Sequence, residues 1–283
     1  MQDLFEEIIK FHDRTMPIPE PYGAFHICFV LISGLVCFLL CRFFKNPTDK
    51  TVKRILLIYS LLCIALEIFK QVAFTFGVKN GIITADYQWY AFPFQFCSTP
   101  MFVALLAAIL PSGRLYRACL AFLGTYGVIA GILVMAVPNT VFIDIIGVNI
   151  QTMVHHGSQI TVGFFLLHRA HAIEKLSSAI GGTLIFLSVI TIALILNCTV
   201  IHFIPEGEVF NMFFISPYFE TTLPVYSGIQ PKIPYPVFIF LYIFPYITVA
   251  LGMHAFAYSL PRLIAHHRAK TTKFSPNGGN QCL

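Results

Sequence analysis

Charge is scarce in this sequence. Asp, Glu, Lys and Arg make up 11% of its 283 residues, against about 25% in an ordinary soluble domain. That scarcity excludes a disordered chain and a DNA-reading protein, both of which depend on charge. CxxC, GxSxG, P-loop and HExxH motifs are all missing, as is any fixed-period repeat. The first apolar run is long, lacks a basic leader and has no small-residue cleavage site after it, so it does not read as a cleavable signal peptide. Eight Cys are present. Cys28, Cys37, Cys41, Cys63, Cys97, Cys119 and Cys198 fall within apolar runs and Cys282 in the tail. With no pair in an outer loop, a secreted disulfide scaffold is excluded too.

Hydrophobic residues take the place of charge: they are 57% of the chain and include 29 Phe, and the mean hydropathy is +0.77. A membrane-crossing helix needs roughly 20 mostly apolar residues. Seven stretches qualify: 22–44, 52–76, 90–110, 115–138, 150–167, 179–204 and 236–260. The sequence therefore predicts an all-α polytopic membrane bundle of seven transmembrane helices, one domain over 22–260. An acidic, amphipathic extracytoplasmic segment (1–21) precedes it and a basic cytoplasmic tail (261–283) follows, with 271–283 expected to be disordered.

Orientation follows from Lys and Arg, which stay on the cytoplasmic side. The loops after the first, third and fifth spans and the tail hold Arg42, Lys45, Lys50, Lys53, Arg54, Arg114, Arg117, Arg169, Lys175, Arg262, Arg268, Lys270 and Lys273. The opposite side holds only Lys10, Arg14, Lys79 and Lys232, together with Asp86, Asp144, Glu206, Glu208 and Glu220. The N-terminus is accordingly placed outside and the C-terminus in the cytoplasm.

Polar groups inside lipid cost free energy and are functional candidates by default. At about 1.5 Å per helical residue, Glu67, Cys97, His155, His156 and Asn197 come to one layer roughly 8–13 Å below the outer surface. Lys70, Gln71, Gln95, Ser98, Thr99 and Gln159 share it, with His202 and Asn211 just above; the other half of the bundle offers mainly His254. These residues can also be read as plain interhelical glue. Glu67 and Lys70 can pair at i,i+3, Asn197 can bond a neighbouring helix, and Ser98 and Thr99 can bond back to their own carbonyls.

Cys97 differs from the other cysteines in its surroundings, the run from Phe92 to Pro100 with a proline at either side (Pro93 and Pro100). Prolines remove backbone donors, and disturbed backbone at this depth is tolerated only inside protein or beside a cavity. Freed N–H groups there could hold an oxyanion. Burial makes a thiol inert, so Cys97 needs a base, and a Cys–His pair is the minimum equipment for making a thioester. His155 and His156 lie at matching depth, about 100° apart around their helix. His156 is favoured because Gln159 and Gly163 follow it at i+3 and i+7, and His155 is the reserve. Zinc is a weaker idea: Cys97, Glu67, His202 and either histidine have suitable atoms but no ligand spacing, so neither a metal nor a cofactor is expected. His168, His171, His266 and His267 lie among basic residues and read as headgroup contacts.

The chain resembles the bacterial YwaF-type membrane proteins and the eukaryotic transmembrane-protein-164 acyltransferases over roughly 22–260. The resemblance rests on Pro93-x-x-x-Cys97, His156-Gly157, the intramembrane Glu67, Pro138-Asn139, and Asn211-Met212 with Pro217. Two departures are His155 before the matching histidine and Ser98 after the cysteine. The resemblance implies a bilayer-embedded acyltransferase, a transacylase that moves a fatty acyl chain from a phospholipid to a lysophospholipid without acyl-CoA; with water in place of the lysolipid the same site would be a lipase. By the resemblance Cys97 would be the nucleophile and His156 the base; from the polar layer itself, Glu67, Gln95, Ser98, Gln159, Asn197 and Asn211 are expected as substrate or oxyanion support. Its partners would be membrane phospholipids and lysophospholipids, with no nucleic acid. It would sit in the cell membrane of a bacterium or the endoplasmic reticulum of a eukaryote. The rival class is a transporter or receptor with a polar pocket in the outer half. A retinal protein is disfavoured, since the last span has no Lys for a Schiff base.

Overall fold

The computed structural model describes residues 2–79 and 82–273; the predicted tail over 274–283, Cys282 included, lies outside the described residues. The chain is predominantly helical. In order it forms α1 (Gln2–His12), α2 (Ala24–Phe43), α3 (Asp49–Ala73), a hairpin of β1 (Phe76–Lys79) and β2 (Ile82–Ala85), α4 (Thr99–Ile109), α5 (Arg114–Phe122), α6 (Val128–Ala136), α7 (Ile146–Arg169), α8 (Leu176–Val200), α9 (Tyr226–Ile229) and α10 (Tyr235–Lys273). The last helix continues past residue 260, so the first part of the predicted tail is helical.

Among the described residues, five helical stretches are long and apolar enough to cross a bilayer: Ala24–Phe43, Asp49–Ala73, Arg114–Ala136, Leu176–Val200 and Tyr235–Ser259. Two predicted spans differ. The third, 90–110, is not one helix. A short 3-10 turn at Trp89–Ala91 gives way to irregular backbone, and α4 begins only at Thr99 with Pro100 in its first turn. Pro93 has no N–H to donate, and Pro100 is compatible with a helix start but not its interior. The 11 residues of α4 reach about 16 Å, half the hydrocarbon thickness. The fifth, 150–167, lies inside the 24-residue α7. At about 36 Å that helix is long enough; it falls short in apolarity because Gln151, Thr152, His155, His156 and Gln159 interrupt it.

Those polar side chains are hidden because α7 is central, packed against α2, α3 and α6. The approach to α2 is close enough that a Cβ on Gly157 would meet Ser33 Oγ at 2.1 Å. Toward α6, a Cβ on Gly163 would stand 2.3 Å from Val128 Cγ2 and 2.8 Å from the Leu123 carbonyl oxygen. Small residues let backbones meet where lipid supplies no hydrophobic drive. The second central rod is α5–α6, 78% buried against 11% for α2. It is interrupted by a π turn at Leu123–Gly127, a widening of the kind often found at functional sites, and Gly127 there faces Pro100.

The N-terminal segment belongs to the bundle. Thr15 bridges to Ile145, Met16 N donates to the Asp144 carbonyl at 2.7 Å, and His12 stacks on Phe69 at 4.2 Å. With the hairpin and the long loop over 201–225, it closes one end of the helices.

Candidate functional site

The site is built from the irregular segment before α4 and from the inner faces of α3 and α7. Gln95, Phe96, Cys97 and Ser98 form a turn in which Ser98 N and Thr99 N both donate to the Gln95 carbonyl, at 2.9 and 3.1 Å. Among the described residues, the N–H groups of Gln95, Phe96 and Cys97 donate to no backbone or side-chain oxygen. Phe96 anchors the turn from the other side, with Phe186, Phe213 and Tyr246 around its ring at 5.1–5.7 Å.

His155 meets this segment directly, its Nε2–H donating to the Cys97 carbonyl at 3.0 Å. His156 turns its ring back on its own helix and donates from Nδ1 to the Thr152 carbonyl at 2.7 Å. The two rings are 5.2 Å apart. Each carbonyl fixes a tautomer, because only a protonated nitrogen can donate to it. His155 Nδ1 and His156 Nε2 are left with free lone pairs. Both are buried and have no hydrogen-bond partner, and neither have both amide atoms of Gln159 one turn further along. Buried polar groups are normally paired, so this concentration on one helix face marks a place prepared for something polar.

On α3, Glu67 is 4% exposed and is held through Oε1. Lys70 Nζ lies 2.7 Å from its Oε1, and Gln71 Nε2 donates to the same oxygen at 2.8 Å. Gln71 also donates to the Ala91 carbonyl at 2.8 Å and accepts from Tyr87 OH at 2.9 Å. The pair thus ties α3 to the chain that leads into the Cys97 turn. Glu67 and Lys70 lie within electrostatic range of the Cys97 thiol, as do Tyr59 and Tyr242.

Three predicted support residues hydrogen-bond to backbone of the loop after α8. Gln95 accepts from Phe213 N at 2.8 Å and donates to the Asn211 carbonyl at 3.2 Å. Asn197 accepts from Met212 N at 2.7 Å and donates to the Met212 carbonyl at 3.0 Å. Asn211 accepts from Ser216 N at 2.8 Å and donates to the Glu220 carbonyl at 3.3 Å. Together they grip a buried loop in which Phe213 and Phe214 have positive φ values of 59° and 58°. Those amides are spent as struts. Ser98 and Thr99 are buried beside Cys97, and Thr99 bonds back to the Phe96 carbonyl at 3.0 Å. His202 lies in the turn after α8, outside this constellation. His254 donates from Nδ1 to the Ile173 carbonyl. Among the described residues searched, no three His, Cys, Asp or Glu cluster as a metal site.

Tyr59 was not singled out from sequence. It is buried, and its hydroxyl has no hydrogen-bond partner. Tyr59, Cys63 and Glu67 recur at i,i+4 on α3, the stripe that could have found it, and Cys63 reaches Ser158 Oγ on α7 at 3.7 Å. Beside the site, a groove of about 350 Å³ opens between α3 and α4, lined by Glu67, Ile68, Gln71, Pro93, Met101 and Phe102. Ile68 and Phe102 at its rim are exposed, on helices that would face lipid.

With this geometry in view, comparison with known families is decisive. A family model described as the TMEM164 family matches residues 21–258. The chain belongs to the TMEM164 family. The match runs from the turn before α2 almost to the end of the apolar part of α10, so every residue of the site just described lies within the TMEM164 region. Comparisons with curated proteins and with solved structures gave no significant match. A membrane protein of the TMEM164 family is what the family model and the apolar helices establish together.

Proposed function

We propose that this TMEM164-family protein is a phospholipid acyltransferase of the bilayer, working through an acyl-Cys97 intermediate without acyl-CoA. The observation that carries the reading is the hydrogen bond from His155 Nε2 to the Cys97 carbonyl. It sets an imidazole with a free Nδ1 against Cys97, which alone among the described cysteines lies in non-helical backbone. The proposal gives the base role to His155 for that contact, with His156, favoured on sequence, as the second ring behind it.

In the first half-reaction the imidazole takes the Cys97 S–H proton, and the thiolate attacks the ester carbonyl carbon of a phospholipid. The carbonyl π electrons move onto oxygen. The free N–H groups of Gln95, Phe96 and Cys97, with the Tyr59 hydroxyl, are the donors at hand for that oxyanion; one such donor is worth about 10²–10³-fold in rate. Collapse breaks the ester C–O bond, and the imidazolium returns its proton to the departing lysolipid oxygen. In the second half-reaction the imidazole deprotonates a lysophospholipid hydroxyl, which attacks the thioester. The C–S bond breaks and Cys97 recovers the proton. Water in place of the lysolipid makes the same site a lipase.

The groove between α3 and α4 supports this reading by offering lipid a place beside Glu67 and Pro93, next to the chain that leads into the Cys97 turn. Its size lies at the lower end of the about 300–1,000 Å³ typical of ligand pockets. Alternation of the five apolar helices with α4 and α7 supports seven crossings, the N-terminus outside and the C-terminus in the cytoplasm. The test is an acyl-transfer assay with purified protein, labelled phospholipid and lysophospholipid. Loss of transfer in Cys97→Ala supports the reading, and undiminished transfer ends it.

A further inference from the structure

A second cavity, of about 680 Å³, lies at the other end of the molecule, where α5 and α8 begin. Among its lining residues are Arg114, Arg117, Lys175 and Ser178, with Leu115 and Leu184 on one flank. The two helices run in the same direction: Gly181 approaches Ala118, Gly182 approaches Phe122, and Thr183 bonds Tyr126 at 2.9 Å. Their positive ends therefore face the same cavity, and neither N-cap residue, Gly113 or Lys175, offers a side chain to the first turn. Parallel dipoles repel, and an anion between their N-termini relieves this.

Charge at the cavity is unbalanced. Three cations face one carboxylate, Asp49, which is taken by Arg117 at 3.1 Å. Arg114 and Lys175 make no ion pair among the described residues. Ser178 is only 9% exposed, yet its hydroxyl has no hydrogen-bond partner among the described residues although it lines the cavity. The cationic mouth passes into an apolar flank where Leu115 and Leu184 are 52% and 59% exposed. Both belong to stretches apolar enough to cross a membrane, so this flank would face acyl chains.

We propose that this cavity binds an anionic phospholipid. Its phosphate sits between Arg114, Lys175 and the Ser178 hydroxyl, and an acyl chain runs along Leu115 and Leu184. A free phosphate would satisfy the cations but leave the apolar flank uncovered. The site is separate from Cys97 and stands whether or not the acyltransferase reading holds.

The test uses the full chain in neutral detergent, with phosphatidylglycerol as probe and native mass spectrometry to count retained lipid. The expected result is retention by the native chain and about tenfold weaker retention by Arg114→Ala/Lys175→Ala. The charge-conserving Arg114→Lys/Lys175→Arg pair and Arg42→Ala, outside the cavity, should retain it. Leu184→Trp, which fills the flank without touching charge, should weaken retention too. Equal retention of phosphatidylcholine, or equal loss in Arg42→Ala, would overturn the site as generic interface charge. Displacement by inorganic phosphate with Leu184→Trp unaffected would overturn the lipid and leave a free anion.

Discussion

His155 on α7 and Cys97 in the turn before α4 are joined by a 3.0 Å hydrogen bond from Nε2 to the main-chain carbonyl. The bond holds a non-helical turn against the most polar face of a central helix. It also decides the chemistry available there, because the nitrogen that donates must carry the proton and Nδ1 is left as a lone pair.

That relationship separates holding from catalysing. In His155→Gln, the amide can donate to the same carbonyl but cannot act as a base. Acyl-enzyme formation should fall about 10²–10⁴-fold, while thermal stability stays near that of the native protein. His155→Ala should lose both. Rapid-quench trapping of labelled acyl chain, run beside a melting curve, checks this; native rates in His155→Gln would move the base role to His156.

Asn197 separates a strut from an oxyanion donor. Asn197→Leu orphans the buried Met212 N–H and leaves the Met212 carbonyl only the Ile215 N–H at 3.4 Å, costing about 1–3 kcal/mol and lowering Tm. Per folded molecule, acyl transfer should stay within a few fold of native, whereas loss of an oxyanion donor would cost about 10²–10³. A loss of that size at constant folded fraction would return Asn197 to the reacting atoms.

The groove between α3 and α4 predicts a chain-length effect. Ile68→Trp or Phe102→Trp should slow transfer from long-chain phospholipids and spare short-chain esters that need not lie along the groove. Equal slowing of both, measured as kcat/KM across a chain series, would show that lipid enters elsewhere.

Gly157 and Ser33 form a testable pair. A methyl group at Gly157 would collide with Ser33 Oγ, so Gly157→Ala should destabilise by about 1–3 kcal/mol, and adding Ser33→Ala should restore much of it. At Gly163 the obstacle includes the Leu123 backbone carbonyl, so truncating Val128 should rescue Gly163→Ala less well. Tm values of the single and double variants decide.

The apolar helices were legible because length and hydrophobicity suffice to recognise a span, and those around 24–43, 49–73, 114–136, 176–200 and 235–259 fall where the sequence puts them. Length and hydrophobicity do not tell that the stretch over 90–110 is not one continuous helix. Its composition suits a span, but Pro93 and Pro100 leave only the second half helical. The polar layer was visible as depth, yet depth cannot say which groups are already satisfied. Gln95, Asn197 and Asn211 bond to backbone 5 to 118 residues away in sequence, and no local pattern announces these grips. Nor does anything in Asn211-Met212-Phe213-Phe214 foretell two phenylalanines at positive φ. That conformation persists because the struts on either side impose it.

The most direct test is mass analysis of full-length protein in mixed bilayers with phospholipid carrying an isotope-labelled acyl chain, quenched before lysophospholipid is added. The account predicts one labelled acyl group on the Cys97 peptide, removed by hydroxylamine, discharged on addition of lysophospholipid and missing in Cys97→Ala. Labelled transfer product accumulating in Cys97→Ala at the native rate would contradict it.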